Sequence, residues 1–309
     1  MTISLQYQAE TLTWGQFIAR TPRFSIALDG YVSGGPRFDP LTPRASFNHH
    51  DQVNRLATRA TCGQVLMALR QGLFSCFRNE QGPQAVVYVN DCDEDVCTSW
   101  ALLKHHYLAE GAVNPLLNRL VAMEDALDST AGAYPFPKDM PALRELAWVF
   151  EPYRQFRASG RLQFQVPQEF RSVISDVEHR ILQHIAGRGH EVPLDTRYDV
   201  LGGGPRWSLV REVGAQARTG MFSDGIKVFV TARELASGKM AYIIGKMDHF
   251  NPLDLVRLTK TLNETEHCLA NDQWGGGDMI IGSPRNAGSG IAIEQLTQLM
   301  NQAMARCLT

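Results

Sequence analysis

The chain has 309 residues, 44% of them hydrophobic, with 30 lysines and arginines against 32 aspartates and glutamates for a formal net charge of −2. That length favours two domains over one, and the near-zero charge excludes a whole-chain basic field able to hold long nucleic acid nonspecifically. The six cysteines, at 62, 76, 92, 97, 268 and 307, form no C-x-x-C pair, which excludes a zinc ribbon and a redox dithiol. The N-terminal stretch "MTISLQYQAETLTWGQFIAR" has no continuous apolar segment and no later run reaches membrane-spanning length, so a cytoplasmic protein without a membrane partner is expected.

In chain order, "FSIAL", ending at Leu28, and "AVVYV", ending at Val89, have the length and composition of buried parallel strands. Helical patterns cover Ala60 to Leu73 and Val96 to Leu108, and alternating strands and helices predict an α/β sheet. "PALRELAWVFEPYRQF" and "FRSVISDVEHRILQHIAG" read as further helices, the second stopping at Gly187, and the polar "GRGHEVPLDTR" reads as a linker. Beyond it the pattern predicts a hairpin turning near Ser237 and Gly238, a helix from Pro252 to Glu266, a glycine-rich loop, and a closing helix from Ile293 to Cys307. The expected architecture is α/β, a mainly parallel sheet flanked by helices over residues 1–190, followed by a smaller α+β domain over 191–309.

The strongest chemical signal is "VNDCDEDVCTSWALLKHH", which sets Asp91, Asp93 and Asp95 at alternate positions where a helix should begin. Alternate residues of an extended segment share a face, so the three carboxylates converge and require a cation. Helix capping by Asp95 accounts for one of them only. A calcium-binding EF-hand loop is excluded, because its glycine and glutamate positions hold Val96 and Leu102. A metal site at the carboxyl end of a parallel strand fits better, and Asp29, ending the first strand in "SIALDG", can share that crevice unless it merely serves a turn. His49 and His50 in "ASFNHHDQVNRL" add imidazoles; taken alone they read as a solvated loop. Aspartate and neutral imidazole without thiolate suit manganese, iron or magnesium better than structural zinc, and a two-metal site becomes testable.

In the C-terminal block, "QWGGGDMIIGSPRNAGSG" brings Gly275, Gly276 and Gly277 within reach of an anion through backbone N–H groups, though it lacks the lysine-serine ending of a P-loop. Arg285 and Arg218 are candidate phosphate clamps, although arginines of this kind more often lie on the surface, and Trp274 is a candidate for stacking on a base. Gly202 to Gly204 read as an ordinary connection, and His105 and His106 as packing or solvated residues.

These segments resemble the motifs of DHH-family phosphoesterases. "NDCDEDVCTSWALL" is similar to the family's first motif, "IALDG" to its second, "FNHHDQVNRLATRATCGQVLMAL" to the third with the D-H-H signature, and "LVAMEDALDSTAGAYP" to the fourth. The glycine-rich stretch resembles the substrate loop of the associated C-terminal domain. Asn48 stands in place of the signature aspartate, Val96 in place of a usual glycine, and the motifs occur in the order second, third, first, fourth, as a circular permutation would leave them.

The resemblance implies that Asp91, Asp93 and Asp95 bind metal, with Asp29 bridging two ions, His49 a ligand and His50 facing the substrate phosphate. Asp125 completes the shell, with Asp128 as the alternative, and His50 and Asp95 are the catalytic residues. The implied cofactor is Mn²⁺ as a pair of ions, with Mg²⁺ or Fe²⁺ as alternatives. The implied function is hydrolysis of a small phosphorylated compound or a short oligonucleotide, with no long nucleic acid as partner and a homodimer as the oligomeric option. A catalytically degenerate binder of metal or phosphorylated ligand, and an unrelated metal-dependent hydrolase, stand as alternatives.

Overall fold

The computed structural model describes every residue except 1, 112, 249, 270–271 and 306–309, so His249 and Cys307 lie outside the described residues. Two compact units divide it: Met1–Gly132 with Asp139–Pro193, and Leu194–Thr309 with Ala133–Lys138. The break at Pro193 falls inside the polar stretch expected to be a linker, while nothing in the sequence pattern marks residues 133–138.

The strands of the first unit are β1 (Thr2–Tyr7), β2 (Ser25–Leu28), β3 (Arg37–Asp39), β4 (Arg44–Phe47), β5 (Arg78–Asn79) and β6 (Gly82–Val89). They form a sheet in the order β1-β6-β2-β4-β3, with β5 paired to β6. β1, β6, β2 and β4 are mutually parallel and β3 is antiparallel to β4. Every residue of β2 is buried, as a continuous apolar run predicts for a strand covered on both faces. The chain steps from β1 out to β2 and β4 and then returns, inserting β6 between β1 and β2. The carboxyl ends of β6, β2 and β4 therefore lie side by side.

One face of this sheet is covered by α1 (Trp14–Arg20), started by a Thr13–Gln16 capping box. Phe17 inserts edge-on against Tyr31 and Tyr88, joined by Leu12, Ala27 and Val32. The remaining helices of this unit are α2 (Thr61–Arg70), α3 (Leu73–Cys76), α4 (Glu94–Lys104), α5 (Tyr107–Glu110), α6 (Pro115–Ser129), α7 (Pro141–Val149), α8 (Glu151–Ala158) and α9 (Pro167–Gln183). α2 packs on α4 and α6, and α4 packs on α9.

Several boundaries differ from the expected ones for local reasons. The helix expected to reach Leu73 stops at Arg70, because Gly72 takes the left-handed conformation with φ +87°. The single helix expected over "PALRELAWVFEPYRQF" divides at Phe150, since Pro152 in the first turn of α8 has no N–H to continue a ladder.

The second unit holds β7 (Tyr198–Gly204), β8 (Trp207–Glu212), β9 (Val228–Glu234), β10 (Met240–Lys246), β11 (Gly275–Gly276) and β12 (Ile280–Gly282), with α10 (Ala217–Ser223), α11 (Leu255–Glu266) and α12 (Ile293–Ala305). Its sheet order is β11-β12-β10-β9-β8-β7, antiparallel except between β8 and β9. Trp207, Tyr242, Trp274, Leu258, Leu262 and Met300 lie in its main core. The β9–β10 hairpin turns at Ser237–Gly238 as predicted. Gly202 to Gly204, by contrast, belong to strand β7. A Cβ on Gly204 would lie 2.0 Å from Asn301 Oδ1, so this glycine admits close packing of α12. Among the described residues no helix is long and apolar enough to cross a membrane.

Glu178 ties α9 to α4. Its carboxylate lies 2.8 Å from each of Trp100 Nε1, Lys104 Nζ and His105 Nε2, while His106 contacts Glu110 one turn along. Burial alone would raise the Glu178 carboxyl, but the contacts from His105, Lys104 and Trp100 prevail and hold it at about 2. The unfolded value is near ~4.3, so the stabilising carboxylate is fully present above about pH 5 and its contribution is lost as pH falls toward about 2. Glu178→Gln is expected to lower stability at neutral pH by about 1–3 kcal/mol, because its donors lose a charged acceptor. It should also flatten the acid-limb loss. Urea unfolding across pH measures both, and coincident wild-type and variant curves would refute the link.

Candidate metal centre

The first unit brings acidic and imidazole side chains together at the carboxyl ends of its adjacent parallel strands. Asp29 follows β2 directly; its N–H donates to Phe47 O at 2.8 Å, and its φ of +49° puts it in the left-handed region ahead of Gly30. Asn48, His49 and His50 follow β4, Asp91 and Asp93 lie on the turn from β6 into α4, and Asp95 is in the first turn of α4. Asp125 and Asp128 come from the last turns of α6.

His49 is the centre of the arrangement. Its Nε2 lies 2.7 Å from Asp128 Oδ2, 3.4 Å from Asp29 Oδ1 and 3.7 Å from Asp95 Oδ2. His50 reaches the same Asp29 oxygen with Nε2 at 2.9 Å, its ring 4.3 Å from that of His49. His49 is fully buried, yet neither ring nitrogen is angled for a hydrogen bond, and Asp128 Oδ2 is equally unsatisfied. Buried polar atoms are nearly always paired. His49 Nε2 and Asp128 Oδ2, each left without a hydrogen bond, are atoms whose lone pairs fit a cation, and Asp29, His49, Asp95 and Asp128 could bind a metal ion.

The electrostatics carry the same message. Burial pushes the Asp95 and Asp93 carboxyls well up, and neighbouring carboxylates, Asp29 foremost, push them further. Asp91 is raised as well, chiefly by burial. Burial likewise opposes charge on His49 and Asp29, but here proximity wins: Asp128 and Asp29 push the His49 imidazole up to about 10, and the two histidines hold Asp29 low. Without another cation, protons supply the positive charge that this cluster demands. A divalent ion would replace them, which makes its binding pH-dependent.

Each residue expected at the site has a definite place. Asp95 is held by the start of α2, Oδ1 accepting from Cys62 N at 2.6 Å and Oδ2 from Thr61 N at 2.7 Å. The cap of α4 is Asp93, whose Oδ1 accepts from Val96 N at 2.9 Å, so the capping role considered for Asp95 belongs two residues earlier. Asp91 accepts from Cys92 N, and both Asp91 and Asp93 stand outside the two groups of mutually close ligand atoms. Asp125 is engaged elsewhere: it accepts from Ala60 N at 2.7 Å and pairs with Arg59 at 2.9 Å. Asp128, the alternative, is the α6 carboxylate at His49. His50 opens outward with 39% of its side chain exposed, and Arg55 stands 3.3 Å from its Nδ1.

Asn48 explains itself locally. Its amide nitrogen donates to Val32 O at 3.2 Å and Gly34 O at 2.8 Å, while its oxygen accepts from His50 N at 3.0 Å. An aspartate has no donor for those two carbonyls.

Apart from His50, the residues expected to hold a substrate phosphate lie in the second unit. Gly275 and Gly276 pair with β12, and Gly277 N donates to Ile280 O at 2.9 Å. The N–H groups of Asn286 and Ala287, beside exposed Arg285, donate to Asp272 at 3.2 and 2.7 Å. Arg218 pairs with Glu212 at 2.7 Å over the Phe229 ring. Trp274 is buried, stacked 6.0 Å from Tyr242 with its N–H on Glu266, and is a core residue rather than a base platform.

Sequence reasoning passed over two buried groups near the cluster. Glu124 lies one turn before Asp128 on α6 with Oε2 unpaired, and its carboxyl is raised by burial and by Glu94, Asp128 and Asp95. Thr61 donates its hydroxyl to Asp29 Oδ1 at 2.9 Å. The helical period could have put Glu124 on the Asp128 face; nothing local announces the partner of Thr61.

No protein-family model and no curated protein sequence matches this chain, so the reading of the centre rests on its own geometry. Titration with Mn²⁺ tests that geometry. His49→Ala and Asp128→Asn should each weaken binding by on the order of tenfold or more, since even outer-sphere losses reach that size. Asp125→Asn should leave affinity unchanged while lowering the melting temperature, because it weakens the cap of α2. Equal loss of affinity in all three variants would contradict the assignment.

Proposed function

We propose that the protein is a metal-dependent phosphoesterase acting on a small phosphorylated compound or a short oligonucleotide. The observation that carries this reading is the convergence of His49 Nε2, Asp128 Oδ2 and Asp29 Oδ1, two of them unsatisfied buried atoms, at parallel-strand ends where open α/β sheets take their ligands. The likeness to the DHH family supports manganese at the site.

Divalent ions held there supply Lewis acidity toward a phosphoryl oxygen and positive charge against a developing anion. The protein's own groups do the remainder. Asp29, positioned between the two histidines, would be among the residues that hold the metal. Asp95 and His49 are themselves buried, so their charge interactions are screened less than they would be in water. His50, its side chain 39% exposed where that of His49 is fully buried, is the imidazole that a phosphate oxygen can approach. Neither amide end of Asn48 is directed at the cluster, so the departure from the family signature removes no ligand.

Assays with p-nitrophenyl phosphate, bis-p-nitrophenyl phosphate, pyrophosphate and short oligonucleotides, each with Mn²⁺ and with chelator, test the proposal. Turnover of at least one, abolished by chelator, is expected. His50→Ala should lower kcat by about 10²–10³-fold, the usual effect of losing one group that stabilises transition-state charge. Tight Mn²⁺ binding with no turnover of any substrate would instead make the protein a metal or phosphorylated-ligand binder.

A further inference from the structure

We propose that Thr61 is a positioning residue of this centre, its hydroxyl fixing the Asp29 carboxylate relative to the Asp95 carboxylate held by its own backbone N–H. The inference rests on the metal-binding reading above and extends it to a residue that touches no ion.

Thr61 is fully buried at the first position of α2. Its backbone N–H donates to Asp95 Oδ2 at 2.7 Å and its hydroxyl to Asp29 Oδ1 at 2.9 Å. These are the two oxygens that lie 3.7 and 3.4 Å from His49 Nε2. One residue thus ties the carboxylate after β2 to the carboxylate in the first turn of α4, with the imidazole after β4 facing both. A threonine at a helix start ordinarily turns its hydroxyl to nearby backbone. Here it reaches a side chain 32 residues away.

Asp29 sits at φ +49°, in the left-handed region that few non-glycine residues enter, aspartate among them. The Thr61 hydroxyl and His50 Nε2, each 2.9 Å from Oδ1, give that oxygen two fixed contacts and so set the rotation of the carboxylate. Any residue at 61 except proline would supply the N–H to Asp95; only the hydroxyl reaches Asp29. The role is therefore specific to threonine or serine, and valine, equal in shape, lacks it.

The test measures Mn²⁺ affinity from the electron paramagnetic resonance signal of the free ion, with circular dichroism reporting the fold. Thr61→Val should weaken binding by about 10–100-fold, the range for outer-sphere partners of metal ligands, while Thr61→Ser restores wild-type affinity. Wild-type affinity in Thr61→Val overturns the role of Thr61 alone. A wild-type protein that leaves the Mn²⁺ signal unchanged overturns the metal centre itself. Should Thr61→Val fail to fold, Thr61→Ala removes the same hydroxyl without filling its place and is read by the same criterion.

Discussion

The mutual repulsion of buried carboxylates at adjoining strand ends is the constraint from which the rest of the first unit follows. Burial raises the proton affinity of Asp93 and Asp95, and the neighbouring carboxylates of Asp29 and Asp128 raise it further. Such a cluster is tolerable only where fixed positive charge and N–H donors surround it. The start of α2 provides both. Ala60 has no side chain with which to cap the helix; Asp125 accepts from Ala60 N, and Asp95 from Thr61 N and Cys62 N. The partial positive charge of the helix terminus therefore faces carboxylates from α4 and α6. Helix and site are mutually dependent: without these acids the helix start is uncapped, and without the helix the acids are unsupported. Gly63 belongs to the same construction, since a Cβ there would lie 2.8 Å from the Asp125 carboxyl group.

What the sequence reveals of this arrangement is what local pattern encodes. β2 and the end of β6 are continuous apolar runs because both faces of a parallel sheet are covered, and the acids that follow them stand at positions where a parallel strand must turn. β4 escapes the same reasoning. Its four residues, Arg44 to Phe47, begin with a buried arginine whose guanidinium donates to Thr42 O and Thr21 O, so its burial is satisfied by hydrogen bonds that leave no apolar run. β1, "TISLQY", alternates apolar and polar residues because it lies at the sheet's edge. The break between α7 and α8 was legible in Pro152, and the glycines of β7 are explained only by what packs on them.

The choice between Asp125 and Asp128 shows where periodicity stops. Both lie on α6 three residues apart, near enough in angle to share a broad face, and both follow the buried Glu124. Which one meets His49 depends on the rotation of α6 against α2, which is set by long-range packing. Arg59 and Ala60 N take Asp125, leaving Asp128 for the imidazole. Thr61 is hidden for the same reason: a threonine opening a helix is an ordinary local feature, and its distinguishing bond spans 32 residues.

Order along the chain is a separate matter from order in the sheet. The histidine strand precedes the acidic strand in sequence, with Asp29 earlier still, yet the sheet sets them as β6, β2, β4, placing Asp29 between the acids and the histidines. Nothing in the chemistry depends on which strand was made first; it depends on which carboxyl ends are neighbours. Motif order is therefore a poor guide to this site, which is defined by the meeting of Asp29 and Asp128 at 3.4 and 2.7 Å from one imidazole nitrogen of His49. Asn48 marks the same distinction at a single residue. As a letter it departs from a signature; as a side chain it braces the loop that aims both histidines, through two donations that an aspartate cannot make.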